Sequence, residues 1–282
     1  MDNDYLIAAL WMALALLASL VSIRVGISVA LIEIGLGVIG GNVLGLRTTP
    51  WIDFLAAFGA VLLTFLAGAE IDPGSLRRHL RASLALGAIS FAAPFAAAFL
   101  FAYMALGWTL EASEIAGLAL STTSVAVVYA VMIESGLARQ ELGKLILAAC
   151  FVTDLGTVLF LGVLFADVSP LLVGFAAATA LAVALVPRLT RLLVSRVPDR
   201  VSEPEIKFLF LVLLTLGGLA QIAGSEAVLP AYLIGLAVAG VFVADRVLVH
   251  RMRATAFSLL TPFYFLKAGS LVRSRRSSAG PA

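Results

Sequence analysis

Thr153-Asp154 and the run Ser121-Thr122-Thr123-Ser124 are the residues with most chemistry to offer in a strongly apolar chain. Asp154 lies twelve residues from either end of the apolar stretch 142–166. At about 1.5 Å per helical residue it is roughly 18 Å from each mouth of a span, near the centre of a hydrocarbon core about 30 Å thick. A carboxylate at that depth is unfavourable unless it is protonated, paired or ligating a cation, so the expected chemistry is the handling of protons or cations. The four hydroxyl residues lie on the preceding apolar segment. They offer the backbone an alternative to the helical ladder, and a local break is expected there. Unwound backbone at membrane depth is tolerated only inside protein or against a water-filled cavity. Its carbonyls and hydroxyls would be oxygen ligands for a small alkali cation beside Asp154 and Thr153. A polar contact between neighbouring helices is the other use of such a run.

Other polar residues are weaker candidates. Glu33 lies inside a Gly-rich apolar segment. Lys267 is the one lysine or arginine well inside a span; it has Asp154 or Glu33 as candidate partners, or an interface to which its ammonium can snorkel. Both are read as accessory residues. Glu70 and Glu134 end their segments, where water is at hand, and fit structural or gating roles. His79 and His250 fall among arginines outside the spans, and the single cysteine, Cys150, excludes an intrachain disulfide. No Gly-rich phosphate loop, metal-spaced His/Cys set or nucleophile–His–acid arrangement is present, so neither enzymatic activity nor a bound cofactor is expected.

These residues are carried on membrane spans. Hydrophobic residues make up 62% of the chain and charged residues 13%, which excludes an ordinary soluble domain. Apolar segments fall at 5–22, 25–46, 52–70, 82–106, 114–134, 142–166, 170–195, 206–223, 228–243 and 247–272. Most reach the length of about 20 residues that a helix needs to cross hydrocarbon. The expected fold is therefore an all-α polytopic membrane protein of about ten transmembrane helices, with the lipid bilayer rather than nucleic acid as its partner. Arg24; Arg77, Arg78 and Arg81; Arg139 and Lys144; Arg188, Arg191, Arg196, Arg200 and Lys207; and Arg246, Arg251 and Arg253 follow the odd-numbered segments, 14 of the 19 basic residues. The positive-inside rule then puts those loops in the cytoplasm and the N-terminus outside, in a multi-pass protein of the cytoplasmic membrane.

Residues 34–40, Ile-Gly-Leu-Gly-Val-Ile-Gly, reappear as Ile-Gly-Leu-Ala-Val-Ala-Gly at 234–240, and Phe65-Leu66-Ala67-Gly68 is echoed by Phe265-Leu266-Lys267-Ala268-Gly269. The second and ninth segments run in opposite directions by the charge count, which predicts an inverted repeat. The first copy is 5–166, the linker helix 170–195 and a partial second copy 206–272. Counterparts of the fourth to sixth segments are absent, and the basic stretch 273–282 is expected to be a disordered tail on a truncated, incomplete repeat.

Leu66-Ala67-Gly68-Ala69-Glu70-Ile71-Asp72-Pro73, the hydroxyl run followed by Glu134-Ser135-Gly136-Leu137, and Phe151-Val152-Thr153-Asp154 resemble the Kef-type and sodium/hydrogen exchanger proteins, the second monovalent cation:proton antiporter family. Thr261-Pro262-Phe263-Tyr264-Phe265 before Gly269 is similar to a later segment of the same family. The resemblance spans 5–272 and implies a homodimeric antiporter. In it sodium or potassium competes with a proton for the aspartate matched by Asp154, beside a broken helix matched by Ser121, Thr122, Thr123 and Ser124. Thr153 stands where some members have a second acid, which favours one cation per proton and no net charge movement. A non-transporting fragment or subunit, and a cation-coupled organic-anion symporter, are the alternative readings. A regulatory domain or subunit is left open.

Overall fold

The computed structural model describes residues 3–46, 48–70, 73–165, 169–196 and 202–272, and every regular element among them is helical. The helices are α1 (Asp4–Val25), α2 (Val29–Ile39), α3 (Pro50–Ala69), α4 (Pro73–Leu100), α5 (Leu110–Ser121) and α6 (Val125–Glu134). They continue with α7 (Glu141–Phe165), α8 (Pro170–Arg196), α9 (Pro204–Ile222), α10 (Val228–Ala244), α11 (Arg246–Thr255) and α12 (Thr261–Ser270). Four of them open on proline, whose fixed φ suits the first helical position and whose missing N–H would have had no partner there. Asn3 caps α1 by accepting from the amides of Tyr5 (2.9 Å) and Leu6 (3.4 Å).

The apolar segments expected from hydropathy fall on helices, and the differences are mostly internal. The stretch 114–134 begins earlier, at Leu110, and is interrupted between α5 and α6. Segments 25–46 and 82–106 end in π-helical turns at Gly40–Leu44 and Phe101–Ala105. The last segment opens on α11, which carries Arg246, His250, Arg251 and Arg253, and passes through a third π turn, Ala256–Leu260, into α12. Among the described residues six helices are long and apolar enough to cross a membrane, and Val29–Leu44 and Val228–Ala244 are shorter apolar helices. The chain is a multi-pass membrane protein. The expected tail 273–282 and the side chain of His79 lie outside the described residues.

The chain forms two compact units, residues 1–60 with 253–282, and residues 61–252. In the first unit Trp11 and Ala15 of α1, Ile52 and Ala56 of α3, and Phe263 and Leu266 of α12 make an apolar core. The Trp11 and Phe263 rings stack with centroids 5.9 Å apart, and Trp51 meets Phe263 edge-on at 5.7 Å. Helix α2 lies directly on α12, where a Cβ at Gly37 would be 2.2 Å from the Leu266 carbonyl oxygen and one at Gly269 2.0 Å from that of Ile34.

The second unit contains the rest of α3, helices α4 to α10 and α11 as far as Met252. Helix α4 runs along α7, and α8 packs on both α9 and α10. Its closest crossing joins the end of α3 to α10: a Cβ at Gly235 would be 2.0 Å from the Phe65 carbonyl oxygen, and one at Gly68 2.4 Å from that of Tyr232. In both units, then, a helix bearing an Ile-Gly-Leu segment crosses one bearing a Phe-Leu segment through two glycines.

These distances separate packing from helix propensity at two glycines of one helix. Gly235→Ala should destabilise by roughly 1–3 kcal/mol, because the methyl group overpacks the crossing. At Gly240 an added methyl group would have nothing within 4 Å, so Gly240→Ala should gain roughly 0.5–1 kcal/mol. Thermal unfolding midpoints of the detergent-solubilised variants, moving in opposite directions, check this.

Candidate ion site

Helix α5 ends because Thr122 is extended (φ −78°, ψ 145°), and α6 starts only after Ser124, which is extended too (φ −71°, ψ 107°). An interruption of this kind releases carbonyls at the end of one helix and amides at the start of the next. The hydroxyl run answers both needs. Ser121 Oγ donates to the Leu118 carbonyl at 2.9 Å and Thr122 Oγ1 to that of Ala119 at 3.5 Å. Ser124 Oγ accepts from the Val127 amide at 3.4 Å and caps α6. Ser121 is buried, Thr123 half-buried, and Thr122 and Ser124 are exposed. A helix C-terminus, with its partial negative charge, thus ends beside a helix N-terminus with partial positive charge, an arrangement suited to a cation and its carboxylate.

Helix α7 packs against both α5 and α6. Thr153 is buried, and its Oγ1 donates to the Cys150 carbonyl at 2.7 Å. Thr157 Oγ1 makes the same backward bond to Thr153 at 3.0 Å. Asp154 is half-buried. Its helix is held from two other directions. On α4, a Cβ at Gly87 would lie 2.4 Å from Val152 Cβ, so only a glycine lets the two helices approach this closely beside Asp154. On α10, Tyr232 stacks on Phe151 with centroids 4.1 Å apart and planes 8° from parallel.

Ser121, Thr122, Thr123, Ser124, Thr153 and Asp154 all belong to the second unit, and Glu33 and Lys267 to the first. Glu33 is buried on the face of α2 that also carries Ala30 and Gly37. The Lys267 ammonium lies 2.7 Å from Asp53 Oδ1. Asp53 is in the first turn of α3 and Lys267 in the last turn of α12, where each charge also complements its helix dipole. Glu134 and His250 are exposed, and Cys150 is a buried free thiol one turn before Asp154.

One residue near the site escaped sequence reasoning. Tyr129 of α6 donates a hydrogen bond to Glu70 Oε1. It has no local signal, since single aromatics in apolar helices are common. Only the approach of α6 to the end of α3 brings it in.

The family described as sodium/hydrogen exchanger, transmembrane, matches residues 12–275. A probable Na(+)/H(+) antiporter of Methanocaldococcus jannaschii is 26% identical over 252 residues, covering 86% of this chain and 64% of that protein. The probable Na(+)/H(+) antiporter GerT of Bacillus cereus is 26% identical over 266 residues, 90% of this chain and 70% of its own length. A putative Na(+)/H(+) antiporter of Bacillus subtilis is 24% identical over 268 residues, 87% of this chain and 44% of its own. The chain therefore spans about two thirds or less of the length of two of these three relatives.

If Ser124 is the cap that lets α6 restart, Ser124→Ala should lower stability by about 1 kcal/mol and Ser124→Gly by only a few tenths. The two substitutions are compared by thermal unfolding of the solubilised chain. Equal losses would refute the capping role.

Proposed function

Because the chain belongs to the sodium/hydrogen exchanger family, we propose that it exchanges a monovalent cation for protons across the cytoplasmic membrane, at a site formed by Asp154 and the α5–α6 interruption. The observation that carries this reading is the pair of helix ends at 121–124 on helices packed against α7, the helix of Asp154. The relatives' names make sodium the first cation to test, with potassium as the alternative.

The mechanism follows from the physics of one carboxylate in a poorly hydrated place. A bare charge there is unfavourable, so Asp154 is occupied by a proton or by a cation, and each expels the other. Ser121, Thr122 and Thr153 have each given their hydroxyl hydrogen to a carbonyl of their own helix. The lone pairs of those oxygens remain for a cation. One acid that holds one proton or one cation exchanges them one for one. The two glycine crossings, α2 on α12 and α10 on α3, support reading the chain as an inverted repeat with a linker at 170–195. The charge count supports an external N-terminus, and the family resemblance a homodimer.

In proteoliposomes holding a proton gradient and a pH-sensitive dye, added sodium should dissipate the gradient with the parent chain and leave it intact with Asp154→Asn. Wild-type exchange by Asp154→Asn, or none by the parent, would overturn the proposal. Lys267→Gln should keep exchange, since its ammonium is engaged with Asp53 in the other unit. Exchange rates should also be the same with and without an imposed membrane potential. Rates that follow the potential would exclude one-for-one stoichiometry.

A further inference from the structure

Glu70 and Tyr129 take no part in the exchange chemistry above, yet they join two helices of the second unit, the Tyr129 hydroxyl donating to Glu70 Oε1. Tyr129 is fully buried, five positions after Ser124, on the face of α6 that carries Val125, Ala126 and Ala130. Helix α6 is only 10 residues long, and upstream of it lies the interruption. A helix that short is marginal by itself, so tertiary contacts must set its position.

Glu70 is itself well anchored. Gly68, two residues earlier, lies against α10, where its Cβ would be 2.4 Å from the Tyr232 carbonyl oxygen. The Tyr232 ring stacks at 4.1 Å on Phe151, one turn before Asp154. Contacts therefore run from the helix of Asp154 through α10 to the end of α3, and across the Glu70–Tyr129 bond to α6. The helix of Asp154 and the short helix that follows the interruption are thus tied to one anchor.

Resting on the exchange reading, we propose that the Tyr129–Glu70 hydrogen bond sets the position of α6 relative to Asp154. Tyr129 and Glu70 are then positioning residues for cation binding, acting through the Ser124 end of α6 and not as ligands. The bond needs an acceptor at residue 70, which a glutamine carbonyl also provides. It needs a donor at residue 129, which phenylalanine lacks.

The test uses the full chain with Tyr129→Phe, Glu70→Ala, Glu70→Gln and the Tyr129→Phe/Glu70→Ala double variant, assayed for sodium-dependent exchange in proteoliposomes. Tyr129→Phe and Glu70→Ala should each raise the apparent KM for sodium about fivefold to tenfold, the size of one buried hydrogen bond lost, with maximal rate held within about twofold. Glu70→Gln should keep the parental KM, and the double variant should be no worse than either single one, because all remove the same bond. A parental KM in Tyr129→Phe, Glu70→Gln as impaired as Glu70→Ala, or additive losses would overturn the proposal. A second readout needs no transport: maleimide labelling of Thr123→Cys in a Cys150→Ser background should be faster when Tyr129→Phe is added. Unchanged labelling would overturn the positioning role, whereas a parent chain that does not exchange, but shows the labelling difference, would count against the exchange reading alone.

Discussion

Hydrocarbon offers no hydrogen-bond partner to a peptide group, so a helix interrupted within a membrane must satisfy the backbone that it releases from its own surroundings. The break between α5 and α6 meets this demand with the residues that cause it. Ser121 and Thr122 turn back on the carbonyls of Leu118 and Ala119, and Ser124 takes up the Val127 amide. By donating, Ser121 and Thr122 keep their hydroxyl lone pairs out of the helix's own hydrogen bonds. An element that solves a local hydrogen-bonding problem thereby becomes an oxygen-rich place beside α7.

Such a break also has to lie against protein or a water-filled cavity, and α7 packs beside it. Helix α7 is pressed onto α4 at Gly87 and Val152, and onto α10 by the Phe151–Tyr232 stack. Helix α10 is in turn fitted to α3 through Gly235 and Gly68. Without a hydrophobic drive between helices in lipid, close contact of small residues is the main source of attraction, and glycine allows the nearest approach. Asp154 is thus carried on a helix clamped from two directions, while the short α6 depends on its neighbours for position.

Much of this was readable along the chain. The ten apolar segments mark the helical stretches because the length needed to cross a bilayer is fixed, and prolines at 50, 73, 170 and 204 mark helix starts for a local stereochemical reason. The interruption was also readable, since four hydroxyls in succession compete with the ladder at that one place. The π turns at Gly40–Leu44, Phe101–Ala105 and Ala256–Leu260 were not, because a π turn needs no distinctive residue. Lys267 shows the limit for charges. Its place in a span left Asp154, Glu33 and an interface as alternatives, and Asp53, in the first turn of another helix, is 2.7 Å away.

Sequence alone determined the membrane class, the order of the helices, the place of Asp154 midway along its apolar segment and the place where the backbone leaves the helix. Each depends on hydropathy or on interactions within a few residues. Tertiary structure alone decided which helices lie beside the break, that Lys267 belongs with Asp53, and that Tyr129 reaches Glu70, 59 positions away. Helix pairing in lipid depends on where surfaces are small and on which side chains meet across them, and no periodicity within one helix encodes the face of another.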